Sequence, residues 1–439
     1  MTTFALAATV VLLPLLVPRG PGNTSPADLF AAVFLLLALL ALVQRGRRLR
    51  VPAPGAIALV LVGSLVALAL SGQPDIGLLT LLVDTCLLLL FITIPNHLSG
   101  EQAERLLRLL LIVWTVAALA WAALLLAGYF HLLPQGIEHL LQVRANSRRG
   151  AGASRNNPNL AGSYMLTSFF VLLASPWPRG RPLRLLAAGW LLWAMFVTGS
   201  LGGLLGLVAG CAAWALGIYM RGGRTAGQAR GLAGVALLLG ALGLAGLVVA
   251  AGVPRPSLAG VSTVSQQAKG GTLNNSVGRA DKSFAGRLVL WSEAVIKTGP
   301  RAIVGVGPGE AKNELEISNG SVNRKTGTLT THSLHSDFLG FLIERGILGL
   351  AGLLLLYGAL ARRAWRVLVV GRRCRIGVAA LGAAVVANAA DSFFHETFHF
   401  RHVIVLFGLL WVAAELTAPA PEPAATPSAP KERHAVARS

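Results

Sequence analysis

Apolar and polar positions along this chain come in long blocks, not in the short alternation of a half-buried strand. Runs of roughly 16 to 25 apolar residues are long enough to cross a hydrocarbon core of about 30 Å. They recur near residues 3–18, 27–43, 55–71, 76–94, 106–130, 159–176, 183–199, 203–220, 231–253, 337–360, 375–392 and 402–418. Two long polar intervals, 131–158 and 254–336, interrupt the series, and a Pro- and Ala-rich end follows residue 418. The pattern predicts an all-α polytopic membrane protein with about twelve transmembrane helices. It forms one integral membrane domain over 1–418, with a large loop between the ninth and tenth spans and a disordered tail over 419–439.

Composition sharpens this. Of 439 residues, 54% are hydrophobic and only 13% charged, which removes the chain from the soluble globular class and makes membrane lipids, not nucleic acid, its expected surroundings. The first run has no Lys or Arg before its apolar core and no small-residue cleavage site after it, so it is expected to remain as a helix instead of leaving as a signal peptide. Cys86 and Cys211 fall inside apolar runs and Cys374 in a basic loop, which implies no disulfide framework.

Charge orients the bundle. The basic stretches "QRGRRLR", "PRGRPLR", "RGGRTAGQAR" and "RRAWRVLVVGRRCR" all fall on one side, which the positive-inside rule makes the cytoplasm, with both termini. Two loops on the outer side are basic nonetheless. Residues 131–158 carry Arg144, Arg148, Arg149 and Arg155 against Glu138 alone, and residues 254–336 carry ten Lys or Arg against five acids. Long loops cross a membrane largely regardless of charge, but the short loop is less easily covered by that rule. An anionic ligand, such as a lipid-linked pyrophosphate at the outer leaflet, fits such a surface, because Arg offers phosphate a planar bidentate fork.

Particular segments carry candidate chemistry. "RNNPNLAG" opens a helix near Asn159, whose N-terminal N–H groups beside Arg155 make a local anion site; the alternative is an interfacial turn with a snorkelling Arg. In "SFAGRLVLWSEAVIKTGP", Phe284, Leu288, Trp291 and Val295 form one apolar helical face with Arg287 at its edge, held at headgroup depth if the helix lies on the bilayer. "GVGPGE" follows no strand of a βαβ unit and reads as a tight turn, not a nucleotide loop, and "SNGSVNRKTGTLTTHS" as irregular polar loop. Asp84 lies inside an apolar run, where an ion pair with a neighbouring helix is the expected account. His332, His335 and Asp337 stand immediately before the run 337–360.

"DSFFHETFHFRH" contains His395, Glu396 and His399 in HExxH spacing. On a helix both histidines share a face and bind zinc with Glu396 as general base, and Asp391 and His402 fall nearly on that face. The competing readings are a titratable, acceptor-side cluster and an interfacial structural role. A transporter of anionic lipids is a further class, but it would distribute charge along the bundle interior, whereas these candidates gather on outer loops.

Taken together the segments resemble the O-antigen ligase family of membrane glycosyltransferases, which also includes the O-antigen polymerases. The most specific match is "HSDFLGFLIERGILG": His335, Ser336, nine residues, then Gly346, two residues and Gly349. "GRLVLWSEA" followed by "GVGPG" is a second, and "RNNPNLAG" a weaker third. The resemblance implies a GT-C-like fold with a periplasmic loop containing short amphipathic helices. It implies transfer of a glycan from undecaprenyl diphosphate to a hydroxyl of lipid A-core on the periplasmic face of the bacterial inner membrane, without metal or cofactor and with inversion. Polymerisation, or ligation of another glycopolymer, is the alternative. By the same resemblance Arg155 and Arg287 bind the departing pyrophosphate and His335 is the general base or acceptor-positioning group; the residues themselves, outside that resemblance, add His332, His395 and His399 as secondary, acceptor-side candidates.

Overall fold

The computed structural model of the chain describes residues 1–15, 24–134, 136–137, 157–220, 287–315, 318–322, 329–331, 333–370 and 377–418. Its helices are α1 (Thr2–Leu12), α2 (Pro26–Gln44), α3 (Pro54–Ala69), α4 (Pro74–His97), α5 (Ala103–Tyr129), α6 (Pro158–Ala174), α7 (Arg181–Thr198), α8 (Leu201–Met220), α9 (287–298), α10 (Asp337–Val370), α11 (Ala379–Asp391) and α12 (Arg401–Leu416). All the apolar runs of the sequence but one coincide with helices; the exception, 231–253, lies outside the described residues, as does the tail 419–439. Five helices, α2, α4, α5, α8 and α10, are long and apolar enough to cross a membrane, and α1, α3, α6 and α11 are shorter apolar helices.

Helix starts follow local chemistry. Pro stands in the first turn of α2, α3, α4, α6 and α7, where its missing N–H has no intrahelical partner to lose. Asn157 caps α6 by accepting from the N–H groups of Asn159 and Leu160 at 3.1 and 3.2 Å. Ser25 and Asp28 close a capping box on α2.

One correction concerns "SNGSVNRKTGTLTT", expected as irregular loop. It contains a two-stranded antiparallel sheet, β1 (Ser318–Val322) with β2 (Leu329–Thr331), pairing Ser318 with Thr331 and Val322 with Leu329. The Thr- and Val-bearing ends suit extended backbone.

Small residues set the closest helix crossings. A Cβ on Gly63 of α3 would lie 2.5 Å from the Gly349 nitrogen of α10, and one on Gly352 would lie 2.6 Å from the Val60 nitrogen. A Cβ on Gly206 of α8 would meet the Ala387 carbonyl of α11 at 2.6 Å. Such approaches replace a hydrophobic driving force that a bilayer does not supply. Gly346 breaks α10, with φ 68° and ψ −168°, and a Cβ there would meet the Ile303 and Val304 carbonyls at 2.5 Å.

That break explains the "GVGPG" turn. A helix interrupted at Gly346 leaves carbonyls of the preceding turn without intrahelical donors. The N–H of Val306 donates to the Ile343 carbonyl at 2.9 Å and that of Gly307 to the Glu344 carbonyl at 3.1 Å. Gly305, at φ 98°, has the Glu344 carbonyl and the Arg345 and Gly346 nitrogens where a Cβ would stand. The turn then buries Glu310, which accepts from the Ser71 hydroxyl at 2.5 Å and the Gln73 N–H at 3.1 Å at the start of α4. The two sequence signatures are thus halves of one joint.

The molecule has two distinct ends. At one, Arg401 pairs with Asp28 and the 299–310 segment meets the α3–α4 connection. At the other, the Arg50 N–H and carbonyl both bond Asn96, and Thr3 bonds His97, beside Arg45, Arg47 and Arg48.

Candidate active site

The site lies at the first of these ends, where the start of α10 meets the link 392–400 between α11 and α12. Asp337, the first residue of α10, is buried and accepts from the Thr397 hydroxyl at 2.8 Å and from the N–H groups of Thr397 and Phe398 at 3.0 to 3.1 Å. Its own N–H donates to the Ser392 carbonyl at 3.0 Å. A carboxylate at a helix N-terminus is favoured by the free N–H groups there, and this one also folds the link around itself.

His335 is held just ahead of that knot. Its backbone is left-handed, φ 52°, a conformation that costs a non-glycine residue about 1–3 kcal/mol and persists only when neighbours impose it. Here they do. Glu396 accepts from the His335 N–H at 3.1 Å, and the Trp291 indole of α9 donates to the Leu334 carbonyl at 2.8 Å. The imidazole is half-buried, with Nδ1 3.4 Å from the Ser333 hydroxyl.

Arg287, at the described start of α9, is 7% exposed. Its Nη2 lies 3.5 Å from His395 Nε2 and its guanidinium carbon 5.8 Å from the Phe394 ring centroid, while buried Nη1 has no hydrogen-bond partner among the described residues. Burial lowers its proton affinity and the Asp391 carboxylate opposes that; a guanidinium stays charged regardless. His395 Nδ1 in turn contacts Asp391 Oδ1 at 2.6 Å. A Cβ on Gly202 at the start of α8 would stand 2.4 Å from that oxygen and 2.6 Å from the imidazole, so glycine is what lets α8 close over the pair.

Beneath these groups runs a buried polar chain. Asp84 of α4 pairs with Arg345 Nη2 of α10 at 2.5 Å and with His399 Nε2 at 2.8 Å. Arg345 Nη1 reaches Glu344 at 3.0 Å, and its guanidinium sits 4.3 Å from the Phe341 ring centroid. The ion pair expected for Asp84 is therefore present, with a histidine added. Burial opposes a charge on His399, but the Asp84 carboxylate outweighs it and holds the imidazole above its ordinary value.

Two expectations need correction. The HExxH segment is not helical: residues 392–400 form turns, because Asp337 takes the N–H groups of Thr397 and Phe398 that a helix would use internally. His395 and His399 point to different carboxylates, Asp391 and Asp84, Glu396 holds the His335 backbone, and His402 contacts the Ser163 hydroxyl at 3.2 Å. Among the described residues no group of three or more His, Cys, Asp or Glu is arranged to hold a metal.

The second is the apolar face of α9. Leu288 and Val295 are exposed, and the face turned into the protein is Arg287, Leu290, Ala294 and Thr298, with Trp291 half-buried. Arg287 is thus at the centre of the packed face and not at the edge of the exposed face that bears Leu288 and Val295. The reason is the partner: Leu290 and Ala294 join Val306, Leu334 and Ile343 in a small core of their own.

The structure brings Arg287, His335 and His395 to one end of the bundle and hangs His399 from Asp84 beside them. Arg155, His332, Phe284, Arg144, Arg148 and Arg149 lie outside the described residues. Sequence reasoning passed over Trp291 as an anchor, Glu396 as a backbone acceptor and Arg345 as the partner of Asp84. Arg345 carried a signal, an arginine inside an apolar run.

Apolar helices that cross a bilayer, capped at one end by a cluster of arginine, histidine and carboxylate, define a multi-pass membrane protein. Residues 186–354, from within α7 to the middle of α10, match the family model described as O-Antigen ligase, a stretch that holds Arg287, His335, Gly346 and Gly349. Over that stretch, well under half of its length, the chain is similar to the O-antigen ligase family. No curated protein matches the chain.

Proposed function

We propose that the chain transfers a glycan from undecaprenyl diphosphate to an acceptor hydroxyl, with the hydroxyl of lipid A-core as the first candidate. The observation that carries this reading is Arg287, a nine-tenths buried guanidinium whose Nη1 has no hydrogen-bond partner among the described residues, at the same end of the bundle as the strained, backbone-clamped His335.

In this mechanism His335 takes the proton of the acceptor hydroxyl as its oxygen attacks the anomeric carbon. The bond from that carbon to the phosphate oxygen breaks, and its electron pair leaves with undecaprenyl diphosphate. Arg287, with Arg155, neutralises the charge that develops on the pyrophosphate. Such preorganised electrostatic stabilisation is often the largest catalytic contribution. Direct attack inverts the anomeric centre. A pyrophosphate held by arginines is already a good leaving group, so neither metal nor nucleotide cofactor has a step to perform.

The positive-inside rule supports an arrangement in which the end bearing Arg45, Arg47, Arg48 and Arg50 faces the cytoplasm and the site faces the periplasm, in the bacterial inner membrane. Polymerisation onto another lipid-linked repeat uses the same groups with a different acceptor. The test is reconstitution of the purified protein with an undecaprenyl-diphosphate-linked glycan and either lipid A-core or a second lipid-linked glycan as acceptor. Transfer to the first supports ligation and to the second polymerisation. Transfer to neither, with undecaprenyl diphosphate never released, rejects the reading.

A further inference from the structure

Asp391, His395 and Arg287 form a line of contacts in which each atom has one admissible role. A carboxylate only accepts, so the 2.6 Å contact of Asp391 Oδ1 with His395 Nδ1 places the ring proton on Nδ1. A guanidinium only donates, so the 3.5 Å contact of Arg287 Nη2 with His395 Nε2 requires the lone pair there. Both are met together by the neutral imidazole protonated on Nδ1. His395 is 2% exposed, Asp391 is fully buried, and Gly202 of α8 closes over both, so the ring has no room to turn. The guanidinium meanwhile keeps Nη1 buried and without a partner among the described residues.

We infer that the Asp391–His395 pair is a positioning relay: it engages Nη2 of Arg287 and thereby presents Nη1 to a pyrophosphate or other diphosphate anion. His395 accordingly serves the leaving-group side of the reaction and not the acceptor side. The inference rests on the proposed role of Arg287. It also explains why a neutral acceptor stands here in place of a second carboxylate. Asp391 orients the imidazole from one residue away instead of pairing with the guanidinium.

The test uses the full-length protein in proteoliposomes, with inorganic pyrophosphate as a competitor of glycan transfer. Replacing His395 by Ala is expected to raise the pyrophosphate inhibition constant about tenfold, the effect of losing one hydrogen bond to a charged group. His395→Gln, whose side-chain oxygen can accept from Nη2, is expected to recover most of that loss with the acceptor KM unchanged. In an Arg287→Ala background, where pyrophosphate affinity is read by direct binding instead of by inhibition of transfer, the His395 substitutions are expected to have no further effect on the constant. A Gln variant no better than Ala, or a His395 effect of equal size with and without Arg287, overturns the relay while leaving the role of Arg287 intact. If Arg287→Ala itself leaves the constant unchanged, the leaving-group reading fails, and the relay with it.

Discussion

The carboxylate of Glu396 accepts a hydrogen bond from the backbone N–H of His335 at 3.1 Å, so the central residue of a sequence resembling a metalloprotease motif is spent on holding the chain of the candidate base. A left-handed histidine needs such a hold. Glu396→Gln keeps an acceptor and is expected to lose little, whereas Glu396→Ala should lower kcat for transfer about tenfold by loosening the imidazole. Steady-state kinetics on the two variants, both folded by thermal scan, check this.

Asp84 and Arg345 lie in the bundle interior and are almost fully buried. Removing one partner leaves an uncompensated buried charge, which costs about 3–5 kcal/mol. Asp84→Leu alone is expected to lower the Tm of the detergent-solubilised protein substantially, and the Asp84→Leu, Arg345→Met double variant to recover much of the loss. A double variant less stable than either single one counts against the pairing.

His399 gives this region a pH dependence of definite sign. Its folded-state proton affinity is raised above the unfolded reference, near 6.5, by Asp84. The stabilisation is therefore complete below that reference and is lost as pH rises through the folded-state value. Thermal stability is expected to fall on the alkaline side in the wild type and to lose that fall in His399→Gln. A fall confined to acid pH contradicts the assignment.

Gly346 is required by its conformation as well as its surroundings. At φ 68°, with Val304 backbone where a Cβ would stand, Gly346→Ala is expected to cost more than about 1–3 kcal/mol. Because the joint fixes α9 as well as α10, it should lower transfer even where the protein still folds. Gly358, with open space at its Cβ, serves as the control and should tolerate Ala.

Much of this was legible in the sequence, and the remainder has identifiable causes. Apolar blocks such as 55–71 and 76–94 mark α3 and α4 closely because a bilayer demands length and hydrophobicity before anything else. His335 and Arg287 stood out by residue type at the edge of apolar blocks. What residue spacing does not carry is the non-local bond. The segment 392–400 has helical spacing on paper, and Asp337, some sixty residues earlier, unwinds it by taking the N–H groups of Thr397 and Phe398. The packed face of α9 is hidden in the sequence for a related reason: Leu288 and Val295 are as apolar as Leu290 and Ala294, and only the surfaces offered by Val306 and Leu334 choose between them.

The central claim is that His335 deprotonates the acceptor. Its most direct test is the rate of glycan transfer from a defined undecaprenyl-diphosphate donor by His335→Ala, reconstituted beside the wild type with donor binding measured in parallel. Loss of a general base should lower the rate about 10²- to 10⁴-fold with donor affinity retained. Transfer at the wild-type rate by a folded, inserted His335→Ala protein would contradict the account.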